Sequence, residues 1–261
     1  GKDGCNRHVL IDECRELFGE IYEQIPELPF CNIWTAMQLS SRLPKGALFH
    51  MGVSNTRRCW NMFQLPESVE SACNVGCCGI DGCVSTLVGA SLVNPDRLCY
   101  VVVGDLTFFY DLNSLGNHHI GTNLRVMLVN NGRGTEFRLG IHHCNVFGDD
   151  ADKYMAAAGH FGNKSPLLVK HYAEDLGFHY LSATTKEEFM TALSNFTNPQ
   201  LSDHSMILEV FTDSKDESEA LYLMSHIQSD AKGMVRSKLK DAVRNVAGEK
   251  GINAIKKILK K

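Results

Sequence analysis

Two stretches of mainly apolar residues, 98–103 and 124–129, stand out along the chain. Each ends in a small polar pair, Gly104-Asp105 after the first and Asn130-Asn131 after the second. Strands without an alternating polar face suit a parallel sheet covered by helices on both sides. Shorter apolar runs predict further strands at 47–51, 178–181 and 205–211. Between them, the spacing of apolar positions predicts helices at 80–92, 108–115, 154–158, 166–176 and 186–196. Two more amphipathic helices precede the first strand. One is at 7–24, with Val9, Leu10, Cys14, Leu17, Phe18 and Ile21 at helical spacing, and the other is at 31–42. Strand and helix signals alternate, so the expected fold class is α/β: a doubly wound, mainly parallel sheet with helices on both faces.

The pattern changes after residue 230. Val235, Leu239, Val243 and Val246 form one apolar stripe, and Ile252, Ile255 and Leu259 form another, with Gly248 and Gly251 between them. Two short basic helices are expected there, packed through those stripes as a C-terminal helical extension. The expected organisation is a helical lead-in at 1–42, an α/β domain at 43–230 and a basic tail at 231–261.

Charge sharpens this division. The chain of 261 residues carries a net −4, yet residues 231–261 alone carry +8, which leaves −12 on the rest. The tail invites an anionic surface or a partner whose identity the sequence does not give, and no nucleic-acid partner is expected. At 44% hydrophobic residues there is ample material for a core, and no apolar run is long enough to span a bilayer. Gly1-Lys2-Asp3-Gly4 shows no signal-peptide pattern, so a soluble cytoplasmic protein is expected. The ten cysteines include a cluster at Cys73, Cys77, Cys78 and Cys83 whose spacing matches neither a zinc ribbon nor a ferredoxin run. They read as reduced thiols used as small buried residues. His118-His119 and His142-His143-Cys144 are not expected to form a transition-metal site, because adjacent residues on a strand point to opposite faces.

Candidate chemistry lies at the ends of the two long strands. In an open parallel sheet, ligands gather at the carboxyl ends of strands, so Asp105 and Asn131, 26 residues apart, should face one crevice. A carboxylate and an amide oxygen are hard donors suited to Mg2+, which keeps phosphate oxygens among its ligands. Gly104 lets the backbone approach a diphosphate, and a helix starting near Thr107 aims free N–H groups at it. Read individually, each pair is an ordinary turn after a strand. A dinucleotide-binding domain would instead show Gly-x-Gly-x-x-Gly after its first strand, and none follows residues 47–51.

The segment Gly104-Asp105-x(24)-Asn130-Asn131 resembles the signature of thiamine-diphosphate-dependent enzymes. Residues 79–86 (Gly-Ile-Asp-Gly-Cys-Val-Ser-Thr) and 104–113 (Gly-Asp-Leu-Thr-Phe-Phe-Tyr-Asp-Leu-Asn) are similar to one subfamily, the 2-succinyl-5-enolpyruvyl-6-hydroxy-3-cyclohexene-1-carboxylate synthases of menaquinone biosynthesis. Residues 209–213 resemble its C-terminal strand, and the resemblance covers residues 43–227, the diphosphate-binding half of such an enzyme. It implies that Asp105, the Asn131 side chain and the Arg133 carbonyl ligate Mg2+. It also implies that Gly104, Leu106 and Thr107 contact the diphosphate, and that Ile80 wedges the cofactor into its bent form. Ser54 and Arg58, in the loop 52–58, would meet substrate together with Phe137. The activating Glu would belong to a pyrimidine-binding domain or subunit supplied across a homo-oligomer interface, and no residue of this chain matches it. A 2-oxo acid is the implied donor, 2-oxoglutarate with isochorismate as acceptor in the subfamily. Alternatives are a different 2-oxo acid decarboxylase or carboligase, or a non-catalytic scaffold of the same fold. Three positions depart from the pattern: Val75 replaces an arginine, Val53 replaces the Asn of an Asn-Ser pair, and Glu136 stands where an apolar residue precedes Phe137.

Overall fold

The computed structural model describes residues 3–76, 78–200 and 202–227, so the basic tail at 231–261 lies outside the described residues. Those residues fall into two units. One is residues 29–218, and the other comprises residues 3–28 with 219–227. The second unit contains the helix α1 (Asp3–Glu23).

The first unit is built on six strands, β1 (Leu48–Met51), β2 (Glu70–Cys73), β3 (Cys99–Gly104), β4 (Leu124–Asn130), β5 (His179–Ala183) and β6 (Met206–Phe211). They pair in the order β2-β1-β3-β4-β6-β5, and every pair is parallel. The two long runs are the central strands β3 and β4. All seven residues of β4 are buried, and so are the first five of β3, which is why neither shows an alternating pattern.

Around the sheet lie helices α2 (Asn32–Ser40), α3 (Asn55–Trp60), α4 (Cys83–Val93), α5 (Asp105–Tyr110), α6 (Asp149–Tyr154), α7 (Leu168–Asp175), α8 (Lys186–Phe196) and the start of α9 (Ser214–Ser225). On one face, Val84, Leu87 and Val88 of α4 and Val169 and Ala173 of α7 pack with Val101, Val103, Val126, Leu128 and Ile207. Alternate residues point the other way. There Phe49 packs on Trp60 of α3, 5.2 Å between ring centroids, and the Tyr100 hydroxyl donates to the Phe196 carbonyl at the end of α8, 3.1 Å away. Each such large side chain stabilises the fold by about 2 kcal/mol relative to leaving it in water. Cys31, Cys59, Cys83 and Cys99 are buried free thiols in this core, as expected of small apolar residues, but Cys73 and Cys144 are half-buried and Cys14 and Cys78 exposed, against that expectation.

Several elements differ from the sequence expectation. The helix expected at 108–115 begins earlier, at Asp105, and stops at Tyr110. Asp111 then accepts the Ser85 backbone N–H at 2.6 Å, and the chain continues as a 3-10 turn, Leu112–Gly116. Residues 154–158 are not a helix; α6 ends at Tyr154, and Ala157 and Gly159 have positive φ of 49° and 66°. Ile80 precedes α4, because Gly82 caps that helix at φ 83°. The strand β2 and the helices α3 and α9 have no counterpart in the expected elements. No described helix is long and apolar enough to cross a membrane.

Candidate functional site

The chain reverses direction across the sheet between β1 and β3: β2 lies on one side of β1, and β3 and β4 on the other. Such a switch point opens a crevice at the carboxyl ends of the strands. Gly104 of β3 pairs with Val129 of β4, so Asp105 and Asn131 leave neighbouring strands at nearly the same level. Asp105 opens α5 and is 2% exposed. Its Oδ1 accepts the Leu106 N–H at 3.0 Å, and its Oδ2 lies 3.0 Å from His160 Nε2. A carboxylate can only accept, so that ring nitrogen carries the proton. A Cβ added at Gly104 would meet nothing within 4 Å, so open space stands over the turn before α5.

The two asparagines play different parts. Asn130 donates to Glu209 Oε1 of β6 at 2.7 Å, and the Tyr180 hydroxyl of β5 donates to Glu209 Oε2 at 2.7 Å. Burial raises the pKa of Glu209, against those two hydrogen bonds, which favour the charged form. Asn131 lies against Glu217 of α9, and its Oδ1 is buried with no hydrogen-bond partner. Buried acceptors are seldom left unpaired, and Asn130 Oδ1 and Glu217 Oε2 share this condition. Glu217 is itself fully buried. Its Oε1 accepts the Asn32 N–H at 3.0 Å and the Thr212 hydroxyl at 2.7 Å, and burial pushes its carboxyl up to about 7.

The loop after Asn131 closes tightly. Arg133 grips Asp152 with one nitrogen on both oxygens, at 3.0 and 3.1 Å, while its carbonyl accepts the Thr135 N–H at 2.9 Å. Gly132 (φ +77°) faces Asn163, and Gly134 stands 3.2 Å from both Leu106 and Phe137, measured from a built Cβ. Residues 156–163 therefore lie across the loop: Gly134 N–H donates to Ala156 O at 2.6 Å, and Gly159 N–H to Gly132 O at 3.2 Å. Within this strap the Phe109 ring leaves no room for a Cβ at Gly162, and it meets the His160 ring edge-on at 5.6 Å.

The remaining candidate residues line the same edge. Gly52, just past β1, cannot carry a side chain without pressing on Val102 O at 3.1 Å. Ser54 follows with φ 63° and ψ −127°, a strained conformation for a residue with a Cβ, of the kind found at functional sites. Arg58 of α3 pairs with Glu136 at 2.6 Å. Phe137 is half-buried, edge-on to His142 at 5.3 Å. Thr107 is buried, and Leu106 and Ile80 are half-buried. His160, Glu209 and Glu217 were not among the expected site residues. Glu209 stood only inside a family-like stretch, and the one signal for His160 is its place in a small-residue loop, Ala158-Gly159-His160-Phe161-Gly162. Two open clefts of 460 and 520 Å³ lie elsewhere. One is at the amino ends of β4, β5 and β6, and the other lies beside α4.

Comparison with known proteins finds relatives of one kind. Over 196 residues, 75% of this chain, it is 34% identical to the 2-succinyl-5-enolpyruvyl-6-hydroxy-3-cyclohexene-1-carboxylate synthase of Bacteroides fragilis. Over 200 residues it is 34% identical to the enzyme of that name from Phocaeicola vulgatus, and over 199 residues 33% identical to that of Christiangramia forsetii; each match covers 76% of this chain. Those synthases are homologues of this chain over about three quarters of its length. No family model matches it. It spans about a third of the length of the curated relatives it matches, 34% in two cases and 33% in the third. The all-parallel sheet, with helices around it, is consistent with the thiamine-diphosphate-binding fold expected of such a synthase.

Proposed function

We propose that the chain is the diphosphate- and metal-binding part of a thiamine-diphosphate-dependent 2-oxo acid decarboxylase or carboligase. The observation that carries this reading is the pair at the switch point: a buried Asp105 carboxylate, and on the next strand a buried Asn131 Oδ1 without a partner. One charged and one neutral oxygen on adjacent parallel strands form a hard donor set that suits Mg2+. The Arg133 carbonyl completes the set with its second lone pair, the first being taken by Thr135. His160 shares Asp105 Oδ2 and fixes the carboxylate's orientation. The open space over Gly104 and the first N–H groups of α5, at Leu106 and Thr107, suit the diphosphate. Ile80 supplies an apolar surface from the connection before α4.

When bound, thiamine diphosphate supplies the electron sink for loss of CO2 from a 2-oxo acid. The chain's own residues hold and orient it, and Ser54, Arg58 and Phe137 form the mouth that admits substrate. The activating acid belongs to a pyrimidine-binding domain, in the same longer protein or in a second copy of a homo-oligomer. In support, the segment that runs from the Asn131 loop to the strap across it exposes Ile141, Val146, Phe147, Tyr154 and Phe161, the last at 84%. Patches of that kind mark contact surfaces.

The test is calorimetric titration of thiamine diphosphate with and without Mg2+, on the wild type and on Asp105→Ala. The substitution removes the one charged ligand of the proposed set, so magnesium-dependent binding should vanish. Equal affinity in the two proteins would overturn the reading. A panel of 2-oxo acids given to the full-length protein, with CO2 release as the signal, then tests the chemistry.

A further inference from the structure

The mouth of the crevice is bridged by an ion pair. Arg58 stands on α3 beyond the carboxyl end of β1, and Glu136 lies in the loop beyond β4. In the sheet β3 runs between those two strands, so their 2.6 Å contact spans the strand whose carboxyl end carries Asp105. The Glu136 side chain is only 14% exposed, against 41% for Arg58. Glu136 does not swing freely from the surface. It sits in a 3-10 turn closed by Phe137 N–H on Gly134 O at 3.1 Å and Leu139 N–H on Glu136 O at 3.3 Å. Gly134 in turn packs between Leu106 and Phe137, which ties the pair to the start of α5.

A guanidinium at the rim of a crevice is the natural grip for an incoming carboxylate. Here that grip is already filled from within. A second carboxylate arriving at Arg58 would stand beside Glu136, and two like charges a few ångströms apart disfavour each other's ionised form. Beyond the carboxyl end of β2, which neighbours β1 in the sheet, Val75 is apolar and half-exposed. The mouth therefore offers an incoming molecule a neutral ion pair.

We propose that the Arg58–Glu136 pair is an internal substitute for a substrate carboxylate, and that it makes this site select 2-oxo acids whose far end is uncharged. The proposal rests on the reading of this edge as a 2-oxo acid site, and it names Glu136 as the residue that sets specificity.

The experiment compares 2-oxoglutarate with 2-oxohexanoate on the full-length protein, for wild type, Glu136→Gln, and Glu136→Gln combined with Arg58→Gln. Two readouts are taken: equilibrium binding of each acid by NMR saturation transfer, and kcat/KM for CO2 release with thiamine diphosphate and Mg2+ present. The wild type should favour 2-oxohexanoate. Glu136→Gln should shift the preference towards 2-oxoglutarate by about tenfold to hundredfold, the worth of one freed charge-assisted hydrogen-bonded contact. The double substitution should remove that gain, because the freed guanidinium is what produces it. A wild type that already prefers 2-oxoglutarate would overturn the proposal, as would a Glu136→Gln protein with unchanged preference, or no binding of either acid. Failure of the underlying decarboxylase reading looks different: no CO2 from either acid, while the binding preference still shifts with Glu136→Gln.

Discussion

Glu217→Gln should stabilise the protein increasingly as pH rises from about 4.5 to about 7, and change little below that window. Glu217 is fully buried, and its carboxyl is raised from an ordinary 4.5 to about 7, first by burial and then by the charge of Asp216, against hydrogen bonds from Thr212, Asn32 and Asn131. Between those two values the folded protein keeps a proton that the unfolded chain has released. Stability therefore falls as pH rises from about 4.5 to 7, and the loss amounts to about 3 kcal/mol once both states are ionised. A glutamine cannot ionise, and its carboxamide oxygen can still accept from Asn32 N–H and the Thr212 hydroxyl, both of which point at Oε1. The substituted protein should match the wild type near about pH 4 and exceed it by about 3 kcal/mol near about pH 8. The assay is urea unfolding across that range in a chelating buffer, comparing midpoints at constant slope. His50, whose pKa burial lowers, acts with the opposite sign because the unfolded state then binds more protons. Glu209 acts with the same sign as Glu217. Both cancel in the difference between the two proteins, since neither is changed. Parallel pH profiles for wild type and Glu217→Gln would refute the assignment of this slope to Glu217.

Tyr180→Phe removes the donor to Glu209 Oε2 and leaves a buried carboxylate oxygen unpaired, so unfolding free energy should drop by about 1–3 kcal/mol near neutral pH. An unchanged urea midpoint would count against that pairing. Gly162→Ala places a methyl 2.6 Å from two atoms of the Phe109 ring, and overpacking of that kind should cost about 1–3 kcal/mol. Limited proteolysis should then cut within residues 156–163 faster than in the wild type, and equal rates would mean that the strap has room to spare.

What the sequence displayed and what it hid follow one physical division. The central strands were legible because β3 and β4 are buried on both faces and must be apolar along their length. The helix at Lys186–Phe196 was legible too, since Thr185 caps it by accepting the Glu188 N–H, and its apolar positions face the core. The strand β2 was not legible. Glu70, Ser71 and Ala72 are exposed, and only pairing with β1 makes them a strand. The same division runs through the site. Asp105 and Asn131 each come directly after a buried strand, so the parallel sheet brings them to one edge wherever they lie in the sequence. His160 reaches Asp105 from 55 residues further on, and Glu217 reaches Asn32 across 185, through loops with no period to betray them. Arg58 and Glu136 were both visible, one as a residue meeting substrate and the other as a charge in place of an apolar residue. Only the folded loops make them a single neutral unit, and that unit changes which molecule the mouth admits. Strand ends fix where a ligand sits, whereas the loops above them set what it is, and the second kind of information is carried by contacts that a linear reading cannot pair.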